Sequence, residues 1–180
     1  MDIDKPTTVI CTVLAMDQSS FCYKACSNCE TPMPDSPSHT FCNTCEGRRC
    51  PFKRLFRLLF SIATDTKVLN VVCFDRAAKV IFGCSAQQFF DFATLHPYAG
   101  ICFAFSNVYV NLQCRAAKNA SNALVGEMFR ITLSKPKRGN AEHLRMTSVV
   151  PLRSGFQPVI ETLKDLYRVI YGAEGSGGFM

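Results

Sequence analysis

The 180-residue sequence predicts a mainly β chain organised as a small closed Greek-key barrel. A cysteine-rich ribbon interrupts it between the first two strands, one internal helix lies among the strands, and an amphipathic helix closes the chain. Three observations carry this prediction. Two C-x-x-C knuckles follow the first apolar, β-branched run. Apolar residues in the later runs alternate with polar ones, the period of a half-buried strand. Two segments carry the wider spacing of an amphipathic helix.

Residues 7–15, TTVICTVLA, form the first predicted strand. The knuckles follow: Cys26-Ser-Asn-Cys29, then twelve residues, then Cys42-Asn-Thr-Cys45. This separation lets four thiolates reach the corners of a tetrahedron, and a Cys₄ set with no open position is the usual structural Zn²⁺ site. Pro32, Pro34 and Pro37 make the intervening segment a loop. Residues 22–50 therefore read as a zinc ribbon, with Cys26, Cys29, Cys42 and Cys45 holding one structural Zn²⁺. Iron suits the same four-sulfur set. His39 inside the ribbon, and Cys22 and Cys50 beside it, are spare donors.

Disulfides fit less well, because they need an oxidising compartment. The N-terminus MDIDKPTTVI lacks a signal-peptide pattern, and eleven cysteines cannot all pair. Cys11, Cys73, Cys84, Cys102 and Cys114 lie in apolar runs and read as small core residues.

In Lys53–Ala63, Phe56, Leu58, Phe60 and Ile62 alternate with Arg57, Leu59 and Ser61. A turn at Asp65-Thr66 leads to Lys67–Phe74, with Leu69, Val71 and Cys73 on one face and Asn70, Val72 and Phe74 on the other. Ser85-Ala-Gln-Gln88 is a capping box for a helix whose Ala86, Phe89, Phe90 and Ala93 share a face. Ile101–Leu112 reads as a strand, RAAKNASN as a polar loop, and Met128–Ser134 and Leu144–Leu152 as the last strands. RSGFQP (153–158) reads as a hinge before a helix over 157–171, whose stripe is Val159, Leu163, Leu166 and Ile170. The expected organisation is one domain over 5–171 with a flexible tail at 172–180.

The chain is 48% hydrophobic, enough for a core, with net charge +6 and a pI near 8.8. That balance mildly favours an anionic partner. Arg48, Arg49, Lys53, Arg54 and Arg57 cluster without an acid, and Lys135, Lys137 and Arg138 share a Pro/Gly turn. Phe92–Cys114 carries no charge and is long enough for a bilayer. Its His96, Pro97, Gly100, Asn107 and Asn111 argue against a span. Catalysis is not expected either. A zinc deaminase needs an H/C-x-E element before P-C-x-x-C; neither knuckle follows a proline, and no such element precedes them.

Strands around one internal helix suggest the OB-fold, although composition does not separate it from other small barrels. The stretches FCYKACSNCE…FCNTCEG and FKRLFRLLFSIATDTKVLNVVCFDRAAKVIFGCSAQQFFDF resemble the C-terminal DNA-binding domain of the replication protein A large subunit. The likeness rests on Y-x-x-C at Tyr23–Cys26, C-F-x-x-x-A at Cys73–Ala78, G-x-S-A at Gly83–Ala86 and F-R-I-T-L at Phe129–Leu133. It covers roughly residues 7–96 and 124–171, and the chain looks like a stand-alone relative of that domain.

The resemblance implies an OB barrel with an inserted zinc ribbon. It also implies binding of single-stranded DNA, or RNA, and assembly with other OB-fold subunits through the C-terminal helix, whose stripe fits packing on the chain's own barrel equally well. It implies a nuclear role in replication, repair or recombination. Phe74 takes the place of the family's base-stacking aromatic, with Arg54, Arg57, Arg130, Lys135, Lys137 and Arg138 as candidate nucleic-acid contacts. The second family aromatic, in the turn between the last two strands, has no counterpart in SKPKRGNAEH. A zinc-ribbon scaffold that binds proteins and little nucleic acid is the alternative expectation.

Overall fold

The computed structural model describes residues 5–19, 21–34, 41–45, 49–95, 108–136 and 142–174, the side chains at 108–115 and 170–174 excepted. His39, Lys137, Arg138, most of the 101–112 strand expectation and residues 175–180 lie outside these. The order is β1 (Thr7–Met16), β2 (Cys22–Cys26), β3 (Phe52–Ala63), β4 (Val68–Phe74), α1 (Asp75–Phe82), α2 (Ala86–Leu95), α3 (Val108–Leu124), β5 (Met128–Ser134), β6 (Leu144–Pro151) and α4 (Val159–Glu174).

Five strands close in the order β1–β5–β6–β4–β3–β1, and β2 extends β3 outside the ring. The β4–β6 pairing is parallel, with Val72 opposite Arg145, and the others are antiparallel. This is the OB-fold barrel. The expected period of two holds in β3: Phe56, Leu58, Phe60 and Ile62 are buried, and their interleaved neighbours point outward. Inside, the Phe56 and Phe82 rings lie 4.7 Å apart, and Phe89 of α2 meets Phe82 edge-on at 5.1 Å. Offset and edge-on contacts suit the ring quadrupoles.

The capping box at α2 forms as read: Gln88 N–H donates to Ser85 Oγ and Ser85 N–H donates to Gln88 Oε1. The single expected internal helix, however, is one of three among the described residues. α1 buries Ala77, Ala78, Ile81 and Phe82, and a Lys79–Asp75 ion pair one turn apart braces it. It ends at Gly83, whose φ of 70° is left-handed. A Cβ there would meet Pro158 Cβ at 2.5 Å, so both backbone conformation and space require glycine.

α3 corrects two expectations. Residues 108–112 are helical rather than strand, and RAAKNASN is helix rather than loop. Its buried face is Ala116, Ala117, Ala120, Ser121 and Leu124, mostly small residues that add little hydrophobic signal. Alanine is the best helix former and lets the helix lie close against its neighbours. Asn119 Nδ2 donates to the Tyr167 hydroxyl, tying α3 to α4.

The C-terminal stripe also turns. Val159, Ile160, Leu163 and Tyr167 join the barrel's core cluster, and Tyr167 stacks on Phe92 of α2 at 5.4 Å. Leu163 is 1% exposed, whereas Leu166 is 42% and Val169 72% exposed. Val159 and Leu163 are thus spent in the chain's own core, and Leu166 faces outward. The expected hinge at 153–158 is packed: Phe156 meets Phe129 edge-on at 5.3 Å, and the Pro158 carbonyl accepts the Glu161 N–H. The helix runs to Glu174, past the expected start of the tail.

Candidate functional site

Two sites emerge, one in the ribbon and one on the outer face of the barrel. In the ribbon, β2 pairs with β3 from Cys22–Phe56 to Cys26–Phe52. The chain then turns tightly: Glu30 N–H donates to the Cys26 carbonyl, and Glu30 takes φ 59°. That left-handed turn brings Cys29 back beside Cys26. Cys42 and Cys45 meet them from the second knuckle, and the Thr31 and Thr44 hydroxyls, 3.0 Å apart, join the two halves.

The four sulfurs lie within 4.8 Å of one another, with Cys29–Cys42 at 3.4 Å and Cys26–Cys45 at 3.8 Å. A tetrahedral zinc–thiolate centre implies sulfur–sulfur edges of about 3.8 Å. The donor set therefore fits a metal ion in both chemistry and size. Thr31 draws the Cys29 thiol down to about 6 through its hydroxyl and its amide. The backbone N–H groups of Cys29 and Asn28 lower Cys26. Cys45 is instead raised, first by its hydrogen bond with Cys29 and then by burial. Thiols so close cannot all ionise without a cation between them. Cys50 is buried against the cluster but is outside the four-sulfur group.

The second site follows from strand register. Residues directly opposite in a sheet share a face. Arg57 opposes Phe74, Leu59 opposes Val72, and Val72 opposes Arg145. This outer face of β3, β4 and β6 therefore gathers Arg57, Phe74 and Arg145. Tyr23 opposes Leu55 and joins the same face. Burial first, then the Asp75 and Glu30 carboxylates, raise its phenol, while Arg145 and Lys53 draw it back.

Beside Phe74 lies a cavity of about 730 Å³, bordered by Arg76, Lys135, Pro136, Arg145 and Thr147, with no carboxylate in its lining. The nearby Asp75 carboxylate is turned away; it binds Lys79 and accepts the Phe56 N–H.

The sequence-predicted contacts do not all meet here. Arg57 is on the Phe74 face, and Lys135 borders the cavity. Arg54, three residues from Arg57, has the opposite parity, and its guanidinium lies 4.0 Å over the Phe90 ring of α2. Arg130 is exposed on β5 between Ile10 and Val150, outside the cavity lining. Sequence reasoning missed Tyr23, Arg76 and Arg145 as site residues. The pairing of β2 with β3 and of β4 with β6, and the start of α1 directly after β4, bring them together.

The replication factor-A C-terminal domain family matches residues 7–136. No curated protein matches the chain. Among solved structures, a replication protein A heterotrimer bound to single-stranded DNA is similar at a TM-score of 0.55 and 17% identity, covering 93% of this chain and 36% of that one. Yeast RPA bound to single-stranded DNA is similar at the same score and identity, covering 94% of this chain and 88% of that one. The chain thus spans little more than a third of the first of these relatives. At this identity both likenesses speak to the fold.

Proposed function

This chain belongs to the replication factor-A C-terminal domain family, and from that premise we propose that it binds single-stranded DNA on the outer face of β3, β4 and β6. The observation that carries the reading is an aromatic and cationic face beside a cavity with no acid in its lining: Phe74 and Arg57 are paired across β4 and β3, and Arg76 and Lys135 border the cavity beside them. Phe74 and Tyr23 supply the aromatic part of a stacking surface for bases, and the cations neutralise phosphates. That combination gives binding tolerant of sequence and sensitive to salt.

Zn²⁺ is the ion best suited to Cys26, Cys29, Cys42 and Cys45, because four thiolates leave no open position and favour a structural role. It would brace the β2–β3 hairpin that carries Tyr23. The exposed side of α4, with Leu166 and Val169, offers a surface for assembly with other OB-fold subunits, and one similar structure is a heterotrimer. Such a subunit acts in the nucleus, in DNA replication, repair or recombination. The same face has the means to hold single-stranded RNA.

A titration with labelled oligo(dT) tests this reading. Phe74→Ala should weaken binding by about 1–3 kcal/mol with little change in salt slope, and Arg57→Ala should lower that slope by about 1. Wild-type protein that binds no single strand at low salt would instead favour the scaffold role.

A further inference from the structure

We propose that Arg145 is itself a base-stacking surface: a nucleobase lies on one face of its guanidinium while the Phe74 ring supports the other. This deepens the single-strand reading and rests on it. The Arg145 guanidinium carbon sits 4.5 Å from the Phe74 ring centroid. Its backbone is held on both sides, opposite Val72 of β4 and Ser134 of β5, so the side chain projects from a fixed frame.

A guanidinium is planar, with two faces for stacking and its N–H donors around the edge. In the proposed arrangement the Phe74 ring, 4.5 Å from the guanidinium carbon, takes one face. No carboxylate among the described residues pairs with Arg145; the ion pairs there involve other cations. The side chain borders the cavity of about 730 Å³, a size within the usual range for ligand sites.

A base could reach this site in two ways. Displacing Arg145 from Phe74 would forfeit an existing cation–π contact. Resting on the far face of the guanidinium keeps that contact and adds a second, and bases stack well on guanidinium planes. The ladder ring–guanidinium–base is therefore favoured over displacement. Arg76 and Lys135 border the same cavity and suit the flanking phosphates, and the Arg145 edge keeps its donors for a base or phosphate oxygen. Arg54 offers an internal contrast, since it also covers a phenylalanine but does not border this cavity.

The test compares oligo(dT) with an abasic strand of the same length, which keeps the phosphates and removes the bases. Arg145→Lys keeps the charge and loses the plane. It should bind the abasic strand like wild type and oligo(dT) roughly tenfold more weakly. Arg145→Gln keeps a planar amide and loses the charge. It should weaken both strands and lower the salt slope by about 1, while keeping more of the preference for oligo(dT) than the lysine variant does. Lys135→Ala should weaken both strands equally. Arg145→Lys binding oligo(dT) as tightly as wild type would overturn the stacking role and leave only a charge. Tighter oligo(dT) binding by Arg145→Ala would overturn it in favour of a latch over Phe74. Wild-type protein that binds neither strand would overturn this inference and the single-strand reading together.

Discussion

Two leucines three residues apart on α4 should behave in opposite ways. Leu163 is 1% exposed and lies in the core cluster with Val159, Ile160 and Tyr167. Leu166 is 42% exposed and belongs to the helix's outer side. Truncating a buried leucine to alanine costs the lost transfer energy plus a cavity, about 2–5 kcal/mol. At roughly 2–4 °C per kcal/mol for a chain of this size, Leu163→Ala should lower Tm by about 4–20 °C. Leu166→Ala should stay within about 0.5 kcal/mol, as surface changes do. The assay is thermal unfolding of the purified chain followed by circular dichroism, checked by urea titration. Equal shifts for the two variants, or a larger one for Leu166, would refute the placement of α4 on its own barrel.

Two further outcomes are expected. Gly83→Ala should destabilise the fold, because the left-handed conformation alone costs a residue with a Cβ about 1–2 kcal/mol and the new Cβ meets Pro158 at 2.5 Å; an unchanged urea midpoint would contradict this. With a metal held at the four cysteines as proposed, chelation should loosen the ribbon and spare the barrel, since Cys26, Met33, Cys42 and Cys50 form a cluster separate from the barrel core; loss of hydrogen-exchange protection in β1 and β5 along with β2 would show that the two are one cooperative unit.

The strands were legible because most bury one face more than the other, and β3 alternates from Phe56 to Ala63. The four clustered cysteines were legible because two C-x-x-C knuckles at this separation suit a tetrahedral metal site. α1 was not, because its eight residues follow β4 directly with no turn signal. α3 was not, because Ala116, Ala117 and Ala120 bury a face that adds little to a hydrophobic pattern. The split of Arg54 from Arg57 is written in their odd spacing, but assigning a role to each needs the position of α2. Tyr23, Phe74 and Arg145 lie far apart in the chain, and only strand pairing makes them neighbours. The apolar stripe on α4 admits two nearly equivalent lines, through Leu166 or through Tyr167. The Tyr167 contacts with Phe92 and Asn119 decide between them.

In the proposed function, single-stranded DNA lies on the outer face of β3, β4 and β6. Backbone amide shift mapping with a short oligo(dT) tests it most directly on this 20.0 kDa chain. The largest changes should fall at Tyr23, Arg57, Phe74, Arg76 and Arg145, with Arg54, Arg130 and the exposed side of α4 little affected. Changes centred on Ile10, Arg130 and Val150, or on Leu166 and Val169, would contradict it.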